Sequence, residues 1–235
     1  MEIVNDELLS VGHQILGSSK VGADTLIGQG VIIGYPVNTS LRKNGAFLPC
    51  DGAVVGENSL IRSGTVIYER ARLGDEIQTG HGVVIREDAC IGSGTVIGSY
   101  TTIKDRASLG TGCRLQEAVQ VCERAVVGNY VFIGPHVVMT AERYMLGALL
   151  ARGEMTAEEF EQAEKQYREK PSVVIEDDVR IGGNAVLIAG THLGRGCMVA
   201  AGAVVSTKVP PGCTVAGNPA RIIRKPEPEK QELPV

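Results

Sequence analysis

The sequence predicts an all-β solenoid in which short strands alternate with bends, and three observations point to it. Apolar residues recur every six positions from Val55 through Ile61, Ile67 and Leu73 to Ile133 and Met139, with Thr79 as the one polar interruption. A period of six matches neither a helix nor plain strand alternation. It suits a coil of short strands that each send one side chain inward. Glycine follows the lead residue at Gly56, Gly74, Gly80, Gly92, Gly98 and Gly110, where a bend is expected to need backbone freedom. The fifth position of the unit is small or β-branched (Ser59, Thr65, Ala71, Val83, Thr95, Cys113), as a narrow stacked interior requires. Aromatic residues make up only 4% of the chain and tryptophan is absent, so an ordinary globular core is not being packed.

Taken in order, the elements form one repeat domain over residues 1–224 with two excursions. A weak form of the repeat opens the chain at Leu9, Ile15, Val21, Ile27 and Ile33. Residues 35–52 break it with turn formers and with Leu41, Phe47 and Leu48, which reads as a loop folded over a coil. The strong run follows. It stops at Met139, and residues 141–172 are helical in composition. Thr156 and Glu159 make a capping box, Phe160, Ala163, Glu164 and Tyr167 share one face, and Pro171 ends the helix. The repeat returns at Ile175, Ile181, Leu187, Leu193, Val199 and Val205. The tail, 225–235, is charged and proline-rich and is expected to be disordered.

Composition excludes several classes. A net charge of −4 argues against a nucleic-acid or anionic-membrane partner. No stretch approaches the roughly 20 apolar residues of a membrane span, and the N-terminus lacks a signal-peptide pattern. The six cysteines form no CxxC pair, and Cys113 and Cys197 occupy the small fifth position, so they read as reduced core fillers. A cytoplasmic protein is expected, with no metal.

On this repeat, the chain resembles the hexapeptide-repeat, left-handed β-helix proteins over about residues 9–224. The resemblance implies the handedness and three hexads per coil. The stretch MVAAGAVVSTKVPPGCTVAGNPARIIRK, from Met198 to Lys225, resembles the closing signature of acetyl- and acyltransferases of that fold. It implies acetyl-CoA as co-substrate. Ala200, Ala201 and Gly202 would leave room for a pantetheine arm, with Ser206, Thr207 and Asn218 beside it. Lys208, Arg221 and Arg224 would meet the phosphates. The bland alternative is that GNPA only turns the chain at the last coil. The string VFIGPHVVMTAERYM, Val131 to Met145, resembles that of the sub-group acetylating amino groups on nucleotide-linked sugars, but Ala141 and Glu142 replace its Asn and Asp. TGHGVVIRED, from Thr79 to Asp88, is similar to a string of related transferases. The family further implies a homotrimer whose clefts are each lined by two subunits.

Three residues are candidates for chemistry: His136, His81 and Glu142. The two histidines lead off hexads starting at 79 and 133, so three hexads per coil puts them on one wall, three coils apart. His192 reads as a surface bend and His13 has no visible role. Acetyltransferases of this fold that act on hydroxyls carry a histidine where this chain reads TAERY. A hydroxyl needs a base, worth roughly 10²–10⁴-fold, more than a neutral amine does. The expected function is therefore CoA-dependent acetyl transfer to the amine of a nucleotide amino sugar by direct attack. The alternatives weighed are O-acetyl transfer, a zinc lyase like the γ-type carbonic anhydrases (whose three converging histidines the spacing does not supply), and a non-catalytic scaffold.

Overall fold

A computed structural model describes residues 12–39, 41, 50–142 and 145–226. Almost every strand is two or three residues long, and the strands stack into three sheets of nine, nine and ten, here A, B and C, parallel throughout except for the final strand of C. Successive strands along the chain enter A, then B, then C, so each coil is a triangle. The register is in step: Val66 pairs with Val84, Val84 with Thr102, and Thr102 with Gln120. The architecture is a left-handed parallel β-helix with a helical insertion. The weak opening repeat joins it, with Gln14–Ile15, Lys20–Val21, Leu26–Ile27 and Ile32–Tyr35 each starting or extending a sheet.

The lead residues of the sequence repeat are the inward ones. Ile61, Ile67, Ile85, Ile97, Ile103 and Ile133 are fully buried, and burying each aliphatic side chain is worth about 1.5–3 kcal/mol. Thr79, the polar interruption, is also fully buried. Its hydroxyl accepts the Arg62 N–H at 2.9 Å, which offsets the cost of its burial. The small fifth positions bond coil to coil. The Thr95 hydroxyl donates to the Gly110 carbonyl at 3.1 Å and accepts the Cys113 N–H, and Thr101 repeats this with Gln116 and Val119.

The glycines after the lead residue have a different cause from the one expected. Gly56, Gly74, Gly98 and Gly110 do not adopt positive φ. A Cβ on Gly98 would stand 2.4 Å from the Gln116 carbonyl carbon, because the next coil presses against this position. Positive φ falls two residues later and is met there mostly by non-glycine residues, such as Asn58, Asp88, Tyr100 and His136 at 53–59°.

Both excursions leave the solenoid at one place, the edge between sheets A and B. The first runs from Ile32–Tyr35 in A to Val54–Val55 in B, and the second from Val138–Met139 in A to Val174–Ile175 in B. One buried carboxylate clasps both ends of the first: Glu69 accepts the Val37 N–H at 2.9 Å and the Asp51 N–H at 3.1 Å. Phe47 and Leu48, expected on this loop, lie outside the described residues, as does the tail from residue 227. The second excursion holds helix α1 (Leu146–Ala151) and helix α2 (Ala157–Glu169). The capping box at Thr156 and Glu159 is formed, and Phe160, Ala163, Glu164 and Tyr167 are the half-buried face of α2. Ser172 fastens the return, donating through its hydroxyl to the Glu123 carbonyl at 2.5 Å and through its N–H to the Arg124 carbonyl.

Gly98→Ala should cost about 1–3 kcal/mol, since the backbone of the next coil must be displaced. Gly94, at φ 69° with nothing near its absent Cβ, should accept Asn at a cost below about 1 kcal/mol. Chemical denaturation of the two variants checks the difference.

Candidate functional site

The predicted site residues fall on two edges of the triangle and on the closing hairpin. The edge between sheets C and A carries His81, His136, Ala200, Ala201 and Gly202. The chain turns there after the strands Gln78–Thr79, Phe132–Ile133 and Met198–Val199. His81 and His136 are both exposed and three coils apart on this edge. His136 sits two coils below Gly202, through the bonds from Asn184 N–H to the Pro135 carbonyl and from Gly202 N–H to the Gly183 carbonyl. At one coil per strand spacing that is about 10 Å. Gly182 and Gly183 lie between them, so the edge has low relief there.

The A–B edge carries Ser206 and Thr207, and also Glu142, and Lys208 follows as the first residue of the strand Lys208–Val209 in sheet B. Glu142 does not share an edge with His136. Its carboxylate accepts the Leu146 N–H at 3.3 Å, at the start of α1. Asn218, Arg221 and Arg224 belong to the hairpin that ends sheet C, where Arg221–Arg224 runs antiparallel to Thr214–Ala216. The Gly217–Ala220 turn caps the C–A edge: Val204 donates to the Gly217 carbonyl, and Ala220 donates to the Val204 carbonyl.

A cavity of about 540 Å³ opens on the A–B edge, between α2 and the upper coils. Tyr167, Lys170, Gln166, Ser172, Ser206, Thr207 and Lys208 give its wall two cations, an aromatic ring, an amide and three aliphatic hydroxyls, and among the described residues no carboxylate lines it. The half-buried face of α2 was legible in the sequence, but the meeting of Tyr167 and Lys170 with Lys208 was not, because the helix orientation is a tertiary fact.

Two polar pairs escaped the sequence reading. The Ser63 hydroxyl lies 2.7 Å from His81 Nδ1, and the His81 backbone N–H donates to the Ser99 hydroxyl at 3.0 Å. The 18-residue spacing of these three was the available signal. His192 is not at a bend. It is a strand residue on the outer face of sheet B, with Nε2 2.7 Å from Glu176 Oε1. That bond, and then the Arg195 N–H, hold the Glu176 carboxyl below its usual range. The three histidines stand apart, and no group of three metal-binding side chains occurs among the described residues.

Burial pushes the Cys113 and Cys122 thiols up, and that of Cys197 to about 12. Cys90 is exposed. Since the thiolate is the reactive form, iodoacetamide at pH 8 should label Cys90 in the native protein. Cys113, Cys122 and Cys197 should be labelled only after denaturant is added, as read by mass spectrometry of the peptides.

Residues 172–207 match the family described as the hexapeptide repeat of succinyl-transferase. A 53-residue segment is 55% identical to a 2,3,4,5-tetrahydropyridine-2,6-dicarboxylate N-acetyltransferase of Staphylococcus aureus. It covers 23% of this chain and only 22% of that relative's length. Among solved structures, the acetyltransferase domain of PglB from Neisseria gonorrhoeae is 18% identical, with a TM-score of 0.49 over 83% of this chain and 88% of that one. A UDP-N-acetylglucosamine acyltransferase from Bacteroides fragilis is also 18% identical, with a TM-score of 0.47 over 91% of this chain and 72% of that one.

Proposed function

We propose that this hexapeptide-repeat chain is a CoA-dependent acyltransferase that moves an acetyl group from acetyl-CoA to the amine of a nucleotide-linked amino sugar. The observation that carries the reading is the cavity on the A–B edge, lined by no carboxylate among the described residues, whose Lys170 and Lys208 suit the phosphates of coenzyme A. The acceptor amine attacks the thioester carbonyl, the C–N bond forms and the C–S bond breaks. The amine proton passes to a base, and the thiolate leaves. Of the three candidate bases, His136 is favoured because it shares its edge with Ala200, Ala201 and Gly202. His81 lies five coils below that run and Glu142 faces the start of α1. Backbone N–H groups on the edge would stabilise the oxyanion.

The two edges flank sheet A, so one protomer does not close a complete site. A homotrimer brings the C–A edge of one protomer to the A–B edge of the next. Along most of sheet A the outward residues are aliphatic (Ile32, Val66, Val84, Val138, Val186 and Val204), which favours its burial against a neighbour. Six unpaired cysteines favour a reducing, cytoplasmic setting. The segment shared with the Staphylococcus aureus relative favours a second acceptor class, an amine on a small dicarboxylate.

Thiol release from acetyl-CoA against a panel of nucleotide amino sugars, small dicarboxylate amines and hydroxyl acceptors tests the reading. Turnover is expected with a nucleotide amino sugar, and turnover with hydroxyl acceptors alone would sink it. Lys170→Ala and Lys208→Ala should each raise the KM for acetyl-CoA about tenfold. His136→Ala should lower kcat about 100-fold, with His81→Ala changing it less than about threefold. Val84→Glu places a charge on the face assigned to assembly, and light scattering should show trimers giving way to monomers. An unchanged mass would remove sheet A from the interface.

A further inference from the structure

Sheet C carries a second feature that the acyl-donor cavity does not use. Its outward positions place Arg114, Phe132, Arg180 and Met198 side by side, on adjacent in-register strands. The strand spacing sets neighbours about 4.8 Å apart, so Phe132 is flanked by an arginine on the strand to either side. All four side chains are exposed, with Phe132 at 39% and Met198 at 46%. Tyr130, 65% exposed, stands at the adjoining edge, its ring lying over Gly112. In a chain with only three phenylalanines, an open ring on a flat face calls for a reason.

The charges are also open. Among the described residues Arg114 and Arg180 are not ion-paired, as Arg62, Arg72, Arg221 and Arg224 are not, whereas Arg70, Arg86, Arg106, Arg124 and Arg195 are. The nearby Asp178 is taken by Arg195 at 3.2 Å, and Asp177 accepts from Asn129. The arginines do not cover the ring either. The one guanidinium stacked on an aromatic ring among the described residues is Arg86 on Tyr68. An open ring flanked by two arginines without ion pairs is a surface for a flat base attached to phosphates: stacking holds the base, and forked N–H donors hold the diphosphate.

We propose that the Arg114–Phe132–Arg180 column of sheet C binds the nucleoside diphosphate of the acceptor. This rests on the acceptor class assigned above and says where its nucleotide lies. The chain continues from Phe132 through Ile133, Gly134 and Pro135 to His136 on the adjoining C–A edge. A nucleotide on sheet C therefore directs its sugar toward the edge that carries the base. The column sets specificity for a nucleotide carrier and takes no part in bond making.

Calorimetric titration of the full chain with UDP, dTDP and GDP tests this, with inorganic pyrophosphate and acetyl-CoA as separate arms. At least one nucleoside diphosphate should bind. Arg114→Ala and Arg180→Ala should each weaken it about tenfold and weaken pyrophosphate as well. Phe132→Ala should weaken the nucleotide about tenfold and leave pyrophosphate unchanged, and Phe132→Tyr should restore binding. Acetyl-CoA affinity should be the same in all these variants. Binding of acetyl-CoA with no nucleoside diphosphate bound overturns this proposal alone, as does nucleotide affinity indifferent to all three substitutions. A loss of assembly in the arginine variants also overturns it, by making the column an interface between copies. Failure of the wild-type protein to bind acetyl-CoA counts against the acyltransferase reading instead.

Discussion

Everything in this molecule depends on the parallel hydrogen bonding of one coil to the next. Strand N–H groups donate to the coil above at about the same distance throughout, such as 2.9 Å from Val54 to Ala71 and 2.8 Å from Val186 to Ala203. Neither face of a two-residue strand can bury enough apolar surface to hold by itself, so stability comes from stacking identical triangles. The stacking demands that every strand return in the same phase, as 18-residue coils such as Val84 to Thr102 do. The last coil, His192 to Lys208, drops two residues at the A–B edge without losing that phase. A slip of one residue would turn every isoleucine of the interior outward.

That constraint explains where irregularity is admitted. Extra chain is inserted at the A–B edge alone, and each insertion is clasped where it leaves the solenoid. Glu69 holds both ends of the first through backbone N–H groups, and Ser172 holds the return of the second through Glu123 and Arg124. Polar residues in the interior follow the same logic. Thr79, Thr95 and Thr101 are tolerated because their hydroxyls reach backbone groups of a neighbouring coil.

In-register stacking also makes function a matter of columns. Residues one coil apart become neighbours, which is how Ser63 meets His81, Arg70 meets Asp88, and Phe132 stands between Arg114 and Arg180. The column is thus the unit in which this fold assembles side chains. The helical hairpin escapes that rule, and it brings Tyr167 and Lys170 over Ser206 and Lys208 to make the cavity of about 540 Å³ on the A–B edge.

The repeat, the two excursions, the capping box and the inward residues were all legible in the sequence, because period and cap chemistry are local. The glycines show the limit of that reading. Their positions were visible, but their cause is the close approach of the next coil, which no local pattern reports. His192 was placed at a bend by its neighbours in the chain, yet it lies on a strand beside Glu176. Sequence alone determined the solenoid, since a six-residue apolar period has few other physical solutions. Only the tertiary structure decided which edge each candidate occupies. Glu142 was separated from His136 there, and the cationic cavity was joined from residues far apart in the chain, because the side that a corner residue faces is set by the closure of the triangle and not by its neighbours in sequence.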